Sequence, residues 1–108
     1  MMNAHHHGVA LNLPQAYQAE LRNIWQEFVP DCEVWAYGSR VHGLNHDASD
    51  LDLVLYCPQS PEQARDNFES LRQALAESHV PILVQILDWA RIPDDFREEI
   101  KRACVRLF

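Results

Sequence analysis

Two aspartates separated by one residue, Asp50 and Asp52, begin an apolar segment and are the main candidates for chemistry in this sequence. Side chains alternate across a β-strand, so both carboxylates would lie on one face and Leu51 and Leu53 on the other. One face would then be a core and the other a site. Carboxylates about 6 to 7 Å apart repel each other by roughly 2 to 3 kcal/mol at an effective dielectric constant of about 20. The pair therefore needs a neutralising partner.

No Lys or Arg occurs in the interval 41–64 around this pair, and Asp47 is expected to be a further loop acid near the site. The pair could be neutralised by an Arg from elsewhere in the fold, by protonation of one Asp, or by a bound divalent cation. Hard oxygen ligands without His or Cys at ligand spacing favour Mg²⁺ or Mn²⁺ over Zn²⁺. Protein sites commonly hold Mg²⁺ by one or two carboxylates together with substrate phosphates. A phosphate site is therefore expected nearby.

The expected phosphate site is the turn Gly38-Ser39, which follows a run of strand-forming residues at 34–37. Glycine allows backbone amides to come close to an anion. Arg40 is a further candidate for nucleotide binding or partner binding, with a surface ion pair as an equal alternative. For Ser39 at the end of the first strand to meet Asp50 at the start of the second, these strands should be adjacent and antiparallel.

A strand, Gly-Ser, ten residues and Asp-x-Asp resemble the signature of the DNA polymerase beta nucleotidyltransferase superfamily. The small size resembles its minimal nucleotidyltransferase (MNT) branch, and the resemblance covers residues 13–108. It implies that Gly38 and Ser39 bind the triphosphate. It also implies that Asp50 and Asp52 are catalytic residues that hold metal ions.

The resemblance further implies an activity and a partner. Such enzymes use Mg²⁺ to transfer a nucleoside monophosphate from a nucleoside triphosphate, here expected to be ATP, to a hydroxyl. Small relatives are often encoded beside a helical protein of the higher eukaryote and prokaryote nucleotide-binding (HEPN) type. The two form a toxin–antitoxin pair in which the MNT protein modifies a tyrosine of the toxin. We therefore expect a HEPN-type partner from a neighbouring gene or, failing that, a homo-oligomer.

Gln85 departs from the family pattern, because relatives usually carry a third carboxylate there that completes the metal site and helps to deprotonate the hydroxyl. A neutral Gln cannot accept that proton. Two interpretations stay open: an active nucleotidyltransferase, or a catalytically impaired nucleotide-binding antitoxin subunit that acts by binding its partner. Asp88 is no obvious substitute, because three residues along a continuing strand place it on the opposite face.

Hydrophobic periodicity predicts one α/β (α+β) domain over residues 13–108, with the nucleotidyltransferase fold and a small mixed sheet flanked by helices. A flexible tail over residues 1–12 holds His5-His6-His7, interpreted as a tag remnant or a disordered run. The predicted order is helix, strand, short helix, strand, helix, strand, helix and a short edge strand at 105–108. The apolar run at 82–87 is typical of a central or covered strand.

Local signals set some boundaries. Pro14 is well placed to begin the first helix and Pro30 to stop it. Ser60 and Gln63 are predicted to form a capping box at a later helix. Asp94 and its acidic neighbour suit the start of the last helix.

Composition limits the partners and the location. A formal charge of −7 over 108 residues, with one Lys and eight Arg, argues against a nucleic-acid polymer as ligand. No apolar run is long enough to span a membrane. The odd set Cys32, Cys57 and Cys104 lacks Cys-x-x-Cys spacing and predicts thiols in a reducing cytoplasm. A domain of this size leaves little room for a substrate-recognition module, which a partner would supply.

Overall fold

The computed structural model describes Leu11, residues 13–42 and residues 49–108. Asp47 and, apart from Leu11, the predicted tail with its three histidines lie outside these residues. In chain order the elements are α1 (Gln15–Phe28), β1 (Glu33–Tyr37), α2 (Ser39–His42), β2 (Leu51–Tyr56), α3 (Pro61–Ala76), β3 (Val84–Asp88), a 3₁₀ turn (Trp89–Arg91), α4 (Asp94–Arg102) and β4 (Val105–Arg106). The predicted alternation of helices and strands is confirmed. Within the described ranges, no helix combines the length and apolar character needed to cross a membrane.

The four strands form one mixed sheet in the order β3-β2-β1-β4. β1 runs antiparallel to β2 and β4, whereas β2 and β3 are parallel. The predicted antiparallel pair and the predicted mixed sheet are therefore confirmed. β3 lies at an edge of the sheet and not at its centre. Its apolar residues are explained by α3, which packs against it.

The main core lies between one face of the sheet and helices α1 and α3. Leu51, Leu53 and Leu55 of β2 point into it and are almost fully buried, as their alternation predicted. α1 contributes Leu21 and Trp25 at helical spacing, and the Trp25 indole Nε1–H donates to the carbonyl oxygen of Cys32 at 3.0 Å. These contacts fix the position of β2 and hence of the aspartates at its beginning.

The other face of the sheet carries a second, smaller core in addition to the expected site. Trp35 of β1, Val54 of β2, and Ile100 and Cys104 from the α4 region form this cluster, and all four are buried. The prediction that this whole face is a site is therefore wrong for its buried part. The candidate site occupies the end of this face where β1 finishes and β2 begins, because the buried cluster fills the middle of the face and a polar contact between Glu33 and Arg106 lies at the other end of β1.

Cys32 and Cys57 form a disulfide, with their Cα atoms 4.4 Å apart. The register pairs Glu33 with Tyr56, so the next opposed positions are Cys32 and Cys57. The prediction of three thiols is wrong for this pair. Cys104 remains a buried thiol, and burial raises its pKa to about 11.

The predicted capping box at α3 is also wrong. Ser60 precedes the helix but makes no side-chain cap bond. Gln63 instead contacts Asp31: its Oε1 accepts the Asp31 backbone N–H at 3.2 Å and its Nε2 donates to the Asp31 carboxylate at 2.7 Å. A tertiary contact between the start of α3 and the loop before β1 replaces the local cap.

Candidate active site

The Gly38-Ser39 turn and the acidic strand touch each other. Gly38 directly follows β1 with φ +82°, in the left-handed region that glycine adopts without strain. A Cβ atom on Gly38 would lie 2.6 Å from Oδ2 of Asp52, so any other residue at this position would force the Asp52 carboxylate to move. The Val41 N–H closes the turn onto the Gly38 carbonyl at 3.0 Å, and the buried Val41 side chain anchors it in the core. Glycine at this position therefore serves both the backbone conformation and the approach of the carboxylate.

Asp52 lies at the centre of the polar end of the sheet. It pairs with Tyr37 of β1 on one side and with Gln85 of β3 on the other. Paired residues on adjacent strands point to the same face, so these three side chains are neighbours. Asp50, one residue before β2, is exposed, and the Gln85 Nε2 donates to its Oδ2 at 3.5 Å, a long hydrogen bond. The structure thus brings together Gly38, Asp50, Asp52 and Gln85.

The charge of the site is uncompensated within the described residues. Burial, and then the charge of Asp50, raise the pKa of Asp52 above its ordinary value. Burial, and then the charge of Asp52, raise the pKa of Tyr37 to about 12. None of the ion pairs between described residues involves Asp50 or Asp52. Tyr37 was not among the predicted site residues, although its place directly before Gly38 was the available signal.

Arg40 is buried, with 3% of its surface exposed. Its Nε and Nη2 donate to the carbonyl oxygen of Ser49 at 3.1 and 2.9 Å. Arg40 therefore holds Ser49, the residue before Asp50, against α2. The burial of Arg40 does not fit the alternative prediction that this residue forms a surface ion pair. Nucleotide binding by Arg40 and by the half-buried Ser39 stays a prediction.

Asp88 lies away from this site. Its side chain is 8% exposed, its Oδ1 accepts the Ala90 N–H at 3.0 Å, and its Oδ2 is 3.6 Å from Nε of Arg91. It pairs with Leu55, near the far end of β2 from Asp50. The expectation that Asp88 would not replace the missing carboxylate is consistent with this placement.

The donor set fits a hard divalent cation. Two carboxylates and the amide of Gln85 share one face, and all can offer oxygen. No three His, Cys, Asp or Glu side chains cluster as a metal site within the described ranges. Two carboxylates are sufficient for Mg²⁺ when it keeps several waters and contacts substrate phosphates.

Comparisons with known proteins identify the family of this chain. Residues 7–94 match the family model described as poly(A) RNA polymerase, mitochondrial-like, central palm domain, so the class is that of the nucleotidyltransferase palm domains. The chain is 41% identical over 96 residues to a probable protein adenylyltransferase MntA of Haemophilus influenzae, covering 88% of this chain and 82% of the relative. The chain belongs to the MntA-like minimal nucleotidyltransferases of the DNA polymerase beta nucleotidyltransferase superfamily. The predicted family and enzyme class, AMP-transferring nucleotidyltransferases, are confirmed.

A solved structure shares the fold. It is a toxin–antitoxin crystal structure with AMP-PNP, and it superposes with a TM-score of 0.66 at 17% sequence identity over 84% of this chain and 72% of that chain. At this identity the likeness supports the architecture of the sheet and its helices.

Proposed function

We propose that this chain is a protein adenylyltransferase that transfers AMP from ATP, with Mg²⁺, to a hydroxyl of a HEPN-type toxin partner. The observation that carries the proposal is the placement of Gly38 against Asp52, with Asp50 and Gln85 beside them on the same face. The similar proteins support it, since one is a probable protein adenylyltransferase and another is a toxin–antitoxin structure with AMP-PNP. ATP is abundant in the cytoplasm, where we place the reaction.

Each residue has a role in this mechanism. Asp50 and Asp52 would hold Mg²⁺, which would supply positive charge to the phosphates and to the leaving pyrophosphate. The Gly38-Ser39 turn would orient the triphosphate through backbone amides and the Ser39 hydroxyl. The acceptor oxygen forms a bond to the α-phosphorus, and the bond from that phosphorus to the oxygen bridging to the β-phosphate breaks. Pyrophosphate carries away the electron pair, and the hydroxyl proton leaves to solvent because Gln85 cannot accept it.

A second candidate function is an antitoxin that binds nucleotide and partner without efficient transfer. Gln85 favours it, because its amide donates towards Asp50 where relatives are expected to carry a carboxylate. An amide donor lowers the negative charge at the site and provides no base. In this case the chain would block its partner by occupying it.

Co-expression with the product of the neighbouring gene separates the two functions. Intact mass spectrometry of the purified complex should show the partner heavier by one AMP, and peptide mapping should place the AMP on a hydroxyl side chain. Asp52→Asn should abolish the increment. Glu98→Gln, which removes one exposed carboxylate on α4, should leave it unchanged. A stable complex with an unmodified partner would favour the binding function instead.

The association itself is tested by light scattering. The chain alone and its mixture with the neighbouring gene product should differ in mass by one partner or more. A homo-oligomer of this chain is the alternative expectation. Monomer under both conditions would count against either form of the partner proposal.

A further inference from the structure

A pocket of about 410 Å³ lies at the far end of β2 from Asp50 and Asp52. Its lining includes Tyr56, Trp89, Arg65 and Arg91, and the rings of Tyr56 and Trp89 meet edge to face with centroids 5.9 Å apart. Cys57 also lines it, so half of the disulfide belongs to the pocket wall. The proposed AMP transfer makes no use of this region.

The two cysteines of the disulfide differ in how accessible they are to an incoming thiol. Cys32 is 5% exposed and belongs to the main core, whereas Cys57 is half-buried and faces the pocket region. Exchange with an incoming thiol depends on which sulfur the thiolate can reach. Oε1 of Gln63 lies 3.8 Å from the Cys32 sulfur and can accept a hydrogen bond from the Cys32 thiol after that sulfur has been released and protonated, so it holds the product and not the leaving thiolate. The pocket therefore favours attack on Cys57 with Cys32 as the leaving thiol.

The charge of the pocket lining selects the incoming group. The lining contains two arginines and one acid, Asp88, so its formal charge is +1. The formal charge of the whole chain is −7. The Asp88 carboxylate already accepts the Ala90 N–H and lies 3.6 Å from Arg91. Among the residues that the structure describes, the ion pair of Arg65 is with the exposed Asp66, and such surface pairs are weak. This lining favours an anionic ligand over a cationic one.

We propose that Cys57 is a site of thiol–disulfide exchange with an anionic low-molecular-weight thiol. The thiolate sulfur attacks the Cys57 sulfur and forms a new S–S bond. The bond from Cys57 to Cys32 breaks, and its electron pair goes to Cys32, which takes up the proton that the incoming thiol lost. One thiol and one disulfide become one mixed disulfide and one thiol, so no external oxidant is consumed. The exchange removes the covalent link between the residue before β1 and the residue after β2, whose strands stay paired, and places the adduct in the pocket beside Trp89.

Glutathione and cysteamine are suitable probes because the first is anionic and the second cationic near neutral pH. The full-length disulfide form is treated with each thiol, the released thiol is trapped by alkylation, and peptide mapping by mass spectrometry locates both products. We expect the mixed disulfide on Cys57 and the alkyl group on Cys32. An adduct mainly on Cys32, or equal adducts on both cysteines, would overturn the proposal, as would three titratable thiols in the air-oxidised protein.

Charge variants test the selectivity. Arg65→Gln and Arg91→Gln should each lower the rate with glutathione, relative to the rate with cysteamine, by about two- to threefold, the scale of one screened surface charge. Arg22→Gln is the matched control, because Arg22 lies on α1 over the ring of Phe108, away from the pocket lining. Its rate ratio should equal that of the wild type. An equal loss in all three variants, or no loss in any, would contradict recognition by the pocket arginines.

Discussion

Asp52 and Asp88, on the adjacent strands β2 and β3, have opposite surroundings. Asp88 is 8% exposed, accepts the Ala90 N–H at 3.0 Å and has Arg91 at 3.6 Å. Asp52 has a second acid, Asp50, near it, and burial and that acid raise its pKa. The fold supplies the partners of Asp88 itself. It leaves the charge of Asp52 for a ligand to neutralise, which is the expected difference between a structural and a functional carboxylate.

The largest expected effect is a loss of AMP transfer when Asp52 is changed, with no comparable loss when Asp88 is changed. Asp52→Asn should lower AMP transfer by about a thousandfold, the scale of losing one main electrostatic contact in a transition state. The same change should raise the stability of the unliganded protein by up to about 1 kcal/mol, since the site is partly exposed. A group with a raised folded pKa contributes stability that is lost as pH rises through that pKa, so the charged Asp52 is a cost at neutral pH.

Rates of transfer to the co-expressed partner and thermal unfolding at pH 7 measure both parts. Glu98→Gln controls for loss of one surface carboxylate. If Asp52→Asn lowered stability instead of raising it, Asp52 would be a structural acid like Asp88.

The next test concerns Gln85. A carboxylate at this position would increase the negative charge beside Asp52 and leave the surroundings of Asp88 unchanged. Gln85→Asp should raise transfer by up to about a hundredfold, the lower range of a general base, and should tighten metal binding. Gln59→Asp, in the exposed turn after β2, is the charge-matched control. Transfer rates are compared for wild type and both variants with the same partner. A wild type that already matches Gln85→Asp would show that another group supplies the base.

Asp88→Ala should have the opposite pattern from Asp52→Asn. It leaves the Ala90 N–H and Arg91 without their acceptor, so unfolding free energy should fall by about 1 to 3 kcal/mol. Urea unfolding measures this loss, and transfer by the folded variant should stay within about twofold of wild type. A large loss of transfer at full stability would place Asp88 in the catalytic site and remove the contrast.

The smallest effect concerns Tyr37, whose pKa is raised to about 12 by burial and by Asp52. In the unfolded chain its pKa is near 10, so the unfolded state loses this proton first as pH rises. Stability should therefore decline between pH 10 and about 12, and Tyr37→Phe should reduce that decline without any change at neutral pH. Unfolding free energy from pH 9 to 12 measures it, with Tyr56→Phe as control. An identical decline in Tyr37→Phe would contradict this coupling.

Much of the fold follows from local patterns in the sequence. The helical stripe of α1 and the strict alternation of β2 each specify an element and its buried face, because burial requires those periods. The shared face of Asp50 and Asp52 could also be predicted, since parity along a strand decides the face, whereas the place of Gln85 beside them was an expectation from the family resemblance.

Features that depend on register between elements were not predicted. Cys32 and Cys57 are 25 positions apart, and only the pairing of Glu33 with Tyr56 makes them opposite. Gln63 suited a local cap, yet it contacts Asp31 because α3 starts beside that loop. The burial of Arg40 has the same origin, since its acceptor is the carbonyl of Ser49, nine residues away. One sequence indicates helix and strand propensities and the period of its hydrophobic residues. These three contacts depend instead on tertiary packing, which such patterns do not contain.

The most direct test of the central assignment is the thermal unfolding of the protein with and without Mg²⁺ and ATP. A ligand that binds only the folded state stabilises it by about 2.7 kcal/mol at one hundred times its dissociation constant. We expect this stabilisation in the wild type and in Glu98→Gln, and none at the same ligand concentrations in the double variant Asp50→Asn with Asp52→Asn. An undiminished shift in the double variant would contradict the assignment of the nucleotide and metal site to this face of the sheet.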